Sequence, residues 1–172
     1  VKKYVIDHPT NHHIDKAVLL GIPNLGAPKA FKALINGDNF GIPGLNSLEM
    51  KKIAHNLPVA YDLAPSQEYV NQIGSFFKIF TLSSNVTVAT DYNQAITEFE
   101  QDNLINNQAM TNTQNLHTSS FDNFDLRTAG VDIYNIVGCK TFTFGSFTKS
   151  VLQPLFPGPI FDFPENTSGN ST

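Results

Sequence analysis

The stretch Ile14–Pro43, IDKAVLLGIPNLGAPKAFKALINGDNFGIP, decides how this chain folds. Its apolar run, KAVLLGIP, is continuous rather than alternating, the pattern of a strand buried on both faces of a parallel sheet. The run then breaks into a loop punctuated by Gly21, Pro23, Gly26 and Pro28. Pro28 suits the first turn of a helix, because its missing N–H would have no intrahelical partner there anyway. After it, Ala30, Phe31, Leu34 and Ile35 fall on one helical stripe, and Gly37 supplies a stop. Strand, Gly/Pro loop and helix follow one another, and open α/β folds place their chemistry in the loop at the carboxyl end of such a strand.

On the N-terminal side, Val1–His8 puts Val1, Tyr4 and Val5 on one helical face, and Pro9 ends the run. This reads as the last turns of a helix, and the chain, which lacks an initial Met, reads as though cut from a longer one. On the C-terminal side, NSLEMKKIAHNLP predicts a short helix with Asn46 as N-cap and Glu49 three residues on. PVAYDLAPSQEYV reads as loop. FFKIFTLSS predicts a strand, and DYNQAITEFEQDNLIN an amphipathic helix capped by Asp91, with Ile96, Phe99 and Leu104 inward. NQAMTNTQNLHTSSFDNFD keeps helical spacing at Met110, Leu116 and Phe121. VDIYNIVGCKTFTFGS predicts a second parallel-type strand at Ile133–Val137, then a Thr/Phe alternation suited to a hairpin. The final VLQPLFPGPIFDFPENTSGNST is expected to leave the sheet and fray, with residues 157–172 a flexible tail.

About 110 residues separate the two strong strands, counted from Gly21 to Val131, whereas a crossover helix needs only about 10 to 15. Residues 38–130 are therefore expected to be a cap or lid inserted into a single α/β domain spanning 1–172. A chain of 172 residues suits one domain. Charged residues make up only 15% and the formal net charge is −4, with no Lys/Arg run, which argues against nucleic acid or an anionic membrane as electrostatic partner. The single cysteine, Cys139, excludes an internal disulfide and sits in a strand-end context rather than an activated one. No apolar run reaches the roughly 18 residues of a membrane span, and VKKYVIDHP is not a signal peptide. Neither observation assigns a compartment.

The order of these pieces resembles the segment that follows the nucleophile in α/β-hydrolase lipases and lecithin:cholesterol acyltransferase-like enzymes. In that family a helix ending near Y…HP leads to a strand whose loop often reads G-T-P-H-x-G-[AS]-P. Here the loop is GIPNLGAP, with Ile22 in place of Thr and Asn24 in place of His. NLPVAYDLAPSQEY is similar to N-x-P-S-x-Y-x-L-x-P-S-x-x-Y, departing at Val59 and Ala60, and VDIYNIVGCKTFT is similar to the YNIVG strand. The resemblance covers the chain to about Ser146. It implies an α/β fold with a partial α/β-hydrolase sheet and an inserted helical cap, no cofactor, and a lipid or acyl-ester substrate met by transient contact with a lipid interface. It also implies that Pro23, Asn24, Leu25 and Gly26 line the substrate pocket.

A serine lipase needs a nucleophile on a strained G-x-S-x-G elbow, a histidine base and an acid to orient it. No serine here stands in that motif, since the contexts of Ser47 and Ser146 lack the flanking glycines. By family order the elbow lies before Val1, and the acid and histidine follow the YNIVG strand. The expected function is thus a segment of a serine esterase, lipase or O-acyltransferase whose triad lies outside residues 1–172, the isolated chain being inactive. The alternative is a non-catalytic α/β binding module, to which Ile22 and Asn24 lend support. Other candidates read more simply as structure: Asn24 as a turn cap, His117 beside Asp122 and Asp125 as a surface or helix-packing residue, His12 and His13 as turn residues without ligands at metal spacing, and Asp162 as an acid without its glycine turn. The sequons at Asn85, Asn166 and Asn170 would matter only in a secreted eukaryotic protein.

Overall fold

A computed structural model describes residues 1–39, 42–82, 84–138, 145–151 and 160–163. Fourteen elements follow one another among them: α1 (Lys2–Asp7), β1 (Lys16–Leu20), α2 (Lys29–Ile35), α3 (Ser47–His55), α4 (Pro58–Asp62), α5 (Gln67–Gln72), β2 (Phe77–Thr81), β3 (Val86–Ala89), α6 (Tyr92–Gln101), α7 (Asn107–Leu116), α8 (Ser119–Asp122), β4 (Asp132–Ile136), β5 (Phe147–Val151) and β6 (Ile160–Asp162). A 3-10 turn, Leu126–Ala129, leads into β4. The architecture is mixed α/β with two small sheets. Among the described residues no helix is long and apolar enough to cross a membrane.

The two strands singled out by sequence, β1 and β4, are parallel neighbours, with Ala17 opposite Ile133 and Leu19 opposite Asn135. Backbone bonds extend the ladder at both ends, from Asp132 N–H to the Asp15 carbonyl (2.8 Å) and from Gly21 N–H to the Ile136 carbonyl (2.8 Å). The expected burial of β1 on both faces does not hold. Ala17 packs with Val5, Leu126 and Val131, but Val18 and Leu20 on the other face are 56% and 67% exposed, as are much of Tyr134 and Ile136 beside them. Among the described residues no helix covers that face, so a run patterned for two covers has one.

The second sheet has the order β3-β2-β5-β6, with β2 and β5 parallel and both outer pairs antiparallel. The described strands thus make two sheets where one hydrolase-like sheet was expected. Ile160–Asp162, within the stretch expected to fray, adds the edge strand, and Phe163 is buried. The rest of that tail, the Thr/Phe hairpin and Cys139 lie outside the described residues. Phe77 and Phe147 are register partners. With Phe31 and Phe99 they form a fully buried aromatic cluster, their ring centroids 4.7 Å (Phe77–Phe99), 4.8 Å (Phe31–Phe99) and 5.2 Å (Phe77–Phe147) apart. Each such side chain contributes about 1.5–3 kcal/mol by leaving water. This cluster welds α2 and α6 to the sheet.

The helix signals fix local structure where side chains satisfy free N–H groups. Asp91 and Gln94 form a reciprocal capping box on α6. Asn46 caps α3 as expected, while Glu49 pairs with Lys52 instead of closing a box. PVAYDLAPSQEYV, read as loop, is two short helices. Pro58 occupies the first turn of α4, and the Ser66 hydroxyl caps α5 by accepting from Tyr69 N–H. Tyr61, within α4, is fully buried, its hydroxyl donating to the His55 carbonyl (3.1 Å) and accepting from Asn106 N–H (2.8 Å). Tertiary burial of one aromatic decides what the propensity of so short a piece cannot.

Two buried protons make the fold sensitive to alkali. Burial pushes the Tyr92 phenol up to about 12, against a hydrogen bond with Gln114. At Lys149 burial disfavours the charge, but contacts from Asp102 (2.7 Å) and Glu98 (2.6 Å) outweigh it and hold the ammonium above its usual range. Both groups keep their protons longer in the native state than in the unfolded chain, whose tyrosine and lysine release theirs near pH 10 to 10.5. The stability these two groups contribute is therefore constant below about pH 10 and is lost between pH 10 and 12. Tyr92→Phe removes the tyrosine part of that decline: thermal melts at stepped pH should show a shallower alkaline limb, with about 1 kcal/mol lost at pH 7 from the missing hydrogen bond.

Candidate functional site

The loop after β1 is built to be held. Gly21, at φ +57°, turns the chain off the strand. Asn24 N–H bonds to the Ile22 carbonyl (3.0 Å) and Gly26 N–H to the Pro23 carbonyl (2.9 Å), so the turn closes on its own backbone. The loop then docks on the α4–α5 junction through Ala27 N–H to the Leu63 carbonyl (2.9 Å) and Ser66 N–H to the Leu25 carbonyl (3.0 Å). Gly26 lies between these bonds at φ +88°, and a Cβ there would stand 2.1 Å from the Ala64 carbonyl oxygen. Only glycine combines that backbone angle with so close an approach. Of the four residues the sequence nominated, Gly26 is thus a buried structural contact, while Pro23 and Asn24 are exposed and Leu25 half-buried.

The three outward residues face two different concavities. Pro23 lines an apolar groove of about 330 Å³ between α2, α3 and α4, walled by Ala30, Ala33, Ile53, Leu57 and Leu63 among others. Asn24 and Leu25 line a crevice of about 390 Å³ whose polar wall includes Lys2, Gln72, Asp122 and Arg127. The loop is the ridge between them. Sequence reasoning placed all four residues in one pocket and missed the groove, although Ala27, Ala30 and Ala33 recur at the i, i+3 spacing that puts small side chains on one face of a helix.

The crevice carries charge, and none of its described lining residues is a serine, threonine or cysteine. Lys2 donates to the Asp122 carbonyl oxygen (2.9 Å), and burial lowers its pKa against the pull of Asp122 and Asp125. Arg127 grips the half-buried Asp125 through hydrogen bonds of 2.7–3.0 Å and holds that carboxyl below its usual range. His117 is half-buried and packs between helices, its side chain 9% exposed. Its Nδ1 lies 2.7 Å from Asp122 Oδ1 and its Nε2 lies 3.0 Å from the Asp62 carbonyl oxygen. Both ring nitrogens are occupied, so the ring joins α4 to the end of α7 and to α8 and has none to offer a substrate. His12 is likewise structural: its Nδ1 accepts from Ile14 N–H (3.1 Å), which leaves Nε2–H to donate to the Ala129 carbonyl (3.1 Å). Asp162 is exposed on the edge strand β6.

The family model for lecithin:cholesterol acyltransferase matches residues 1–138, four fifths of the chain. No curated protein matches the chain. This chain belongs to the lecithin:cholesterol acyltransferase family, whose activity is of the lipid acyltransferase and esterase kind.

The docking of the loop and the His117–Asp122 pair are each open to substitution. Gly26→Ala meets both a left-handed backbone and the Ala64 carbonyl, and should cost about 2–4 kcal/mol in chemical denaturation. His117→Ala strands the Asp122 carboxylate without its donor and should cost about 3 kcal/mol; adding Asp122→Asn should recover part of that loss, which a double-mutant cycle reads directly.

Proposed function

We propose that this chain is the pocket-loop and cap segment of a serine esterase, lipase or O-acyltransferase acting on acyl esters of lipid-like alcohols. The observation that carries the reading is the placement of Pro23: it follows β1, the best parallel-type strand in the chain, and opens onto an apolar groove in a member of a lipid-processing family. The reactive groups belong elsewhere in the protein. No G-x-S-x-G occurs in residues 1–172, and His117, the histidine best placed beside an acid, has both nitrogens engaged. In the proposed reaction a serine Oγ attacks the ester carbonyl, a histidine takes its proton and returns it to the leaving alcohol, and backbone amides stabilise the oxyanion. Residues 38–130 act as the cap. Asn24, exposed on the ridge with a side-chain amide, is proposed to hydrogen-bond substrate near the ester, with Leu25 beside it, Pro23 lining the groove on the other side of the ridge and Gly26 holding the loop in place.

Ile22 and Asn24, which replace the threonine and histidine usual in this loop, favour the second reading, a binding module that kept the scaffold without the chemistry. A fluorophosphonate probe on the full-length native protein separates the two. The expected result is covalent labelling of one serine outside this segment, with loss of ester hydrolysis in proportion. Clean absence of labelling in folded protein would overturn the enzyme reading and leave the binding module.

A further inference from the structure

Asn36–Gly37 is the one place in the 172 residues where asparagine precedes glycine. That pair loses ammonia more readily than other asparagine pairs, because glycine has no side chain to hinder its own backbone nitrogen from reaching the neighbouring carboxamide. The step is intramolecular. The Gly37 nitrogen gives up its proton and bonds to Asn36 Cγ, the Cγ–Nδ2 bond breaks, and ammonia leaves with that proton, closing a succinimide ring. Water then opens the ring, adding hydroxyl to a carbonyl carbon and hydrogen to the nitrogen. Opening at Cγ gives aspartate, and opening at the main-chain carbonyl gives isoaspartate, whose main chain runs through Cβ and Cγ.

The fold holds the pair where this ring cannot close. Asn36, exposed at the end of α2, is near-helical at φ −109° and ψ −16°, and its N–H donates to the Lys32 carbonyl (2.9 Å). Gly37 N–H, whose proton the reaction must remove, donates to the Ala33 carbonyl (3.2 Å), the bond that closes a helix on a left-handed residue. Ring closure needs a turn about the Asn36 Cα–C bond, and that turn breaks this hydrogen bond. It also drags Gly37, which is buried at φ +73° so close to α3 that a Cβ would stand 1.8 Å from the Ser47 carbonyl oxygen. Ser47 is the first residue of α3, so the glycine that ends α2 is also the seat of α3.

The isoaspartate product does not fit that seat. It lengthens the main chain by one C–C bond, ~1.5 Å, beside a residue that has no room for a single added carbon. It also sets a carboxylate at the C-terminus of α2, where the helix dipole disfavours one, two positions from the buried Asp38. Because α3 walls the apolar groove, the reaction would open that groove with no protease and no ligand.

We propose that Asn36 is a deamidation site gated by the α2–α3 junction: closed in the native fold, it reacts when the first turn of α3 lifts away, and the isoaspartate formed keeps the junction from closing again. The full-length protein is incubated in mildly alkaline buffer, native and in denaturant. Peptide mapping by mass spectrometry locates the deamidated residue, and methylation by an isoaspartyl methyltransferase with S-adenosylmethionine counts isoaspartate. In denaturant Asn36 should react faster than any other asparagine, and at least about tenfold faster than in the native protein, where local opening must come first. Two uncapped variants then separate local from global opening. Asn46→Ala removes the α3 cap beside Ser47, a loss of about 1 kcal/mol, and should speed the native reaction about fivefold. Asp91→Ala uncaps α6 away from the junction and should leave the rate unchanged. The isoaspartate-bearing fraction, purified by ion exchange, should melt below Asn36→Asp, which carries the same charge on a main chain of ordinary length. Equal rates in native and denatured protein, equal rates in the two uncapped variants, or a melt matching that of Asn36→Asp would each overturn the proposal.

Discussion

The contact on which the site depends is the approach of the Gly26 backbone to the Ala64 carbonyl. Two hydrogen bonds, Ala27 to Leu63 and Ser66 to Leu25, flank it, and together they join the end of β1 to the α4–α5 junction. Without that junction the loop would be an ordinary Gly/Pro turn, free to sample many conformations. With it, Pro23 is set against the groove and Asn24 against the crevice. The helices that wall the groove and the strand that carries the loop are therefore one mechanical unit.

A second constraint holds the rest. Phe31 on α2 packs against Phe76 and Phe99, and Phe77 and Phe147 meet across the parallel β2–β5 pair. Because α2 is also the floor of the groove, the aromatic core on one of its faces fixes the alanine wall on another. Phe31, Leu34 and Ile35 face inward while Ala30 and Ala33 face the slot. One seven-residue helix thus serves sheet and site through the 100° step between its neighbouring side chains.

What the sequence revealed follows from how locally each feature is determined. Strands β1, β2 and β4, the helix after Pro28, and the caps Asn46 and Asp91 were readable because run length, period and a single side-chain hydrogen bond specify them. The helices α4 and α5 were not, because Pro58, Pro65 and their small neighbours carry turn signals, and what orders them is Tyr61 reaching the His55 carbonyl and the Asn106 amide 45 residues away. The exposure of Val18 and Leu20 was likewise unreadable: an apolar run states what a strand can bury, and only the surrounding fold determines what it does bury. At the site, the loop was found from its glycines and prolines, but its division into an apolar side and a polar side depends on where α3 and α8 come to rest.

The His117–Asp122 pair shows why proximity alone does not make a dyad. A buried carboxylate 2.7 Å from an imidazole is the arrangement a serine hydrolase uses to orient its base. A base also needs its far nitrogen directed at a nucleophile or water, and here Nε2 meets the Asp62 carbonyl at 3.0 Å. With an acceptor at each nitrogen, the ring has no free position left for a reacting group. The same two residue types that would run proton transfer at an open site instead lock α4 against α7 and α8, behind the crevice that Asn24 faces. The pair thereby braces the helices behind a pinned ridge that has an apolar slot on one side and a charged crevice on the other.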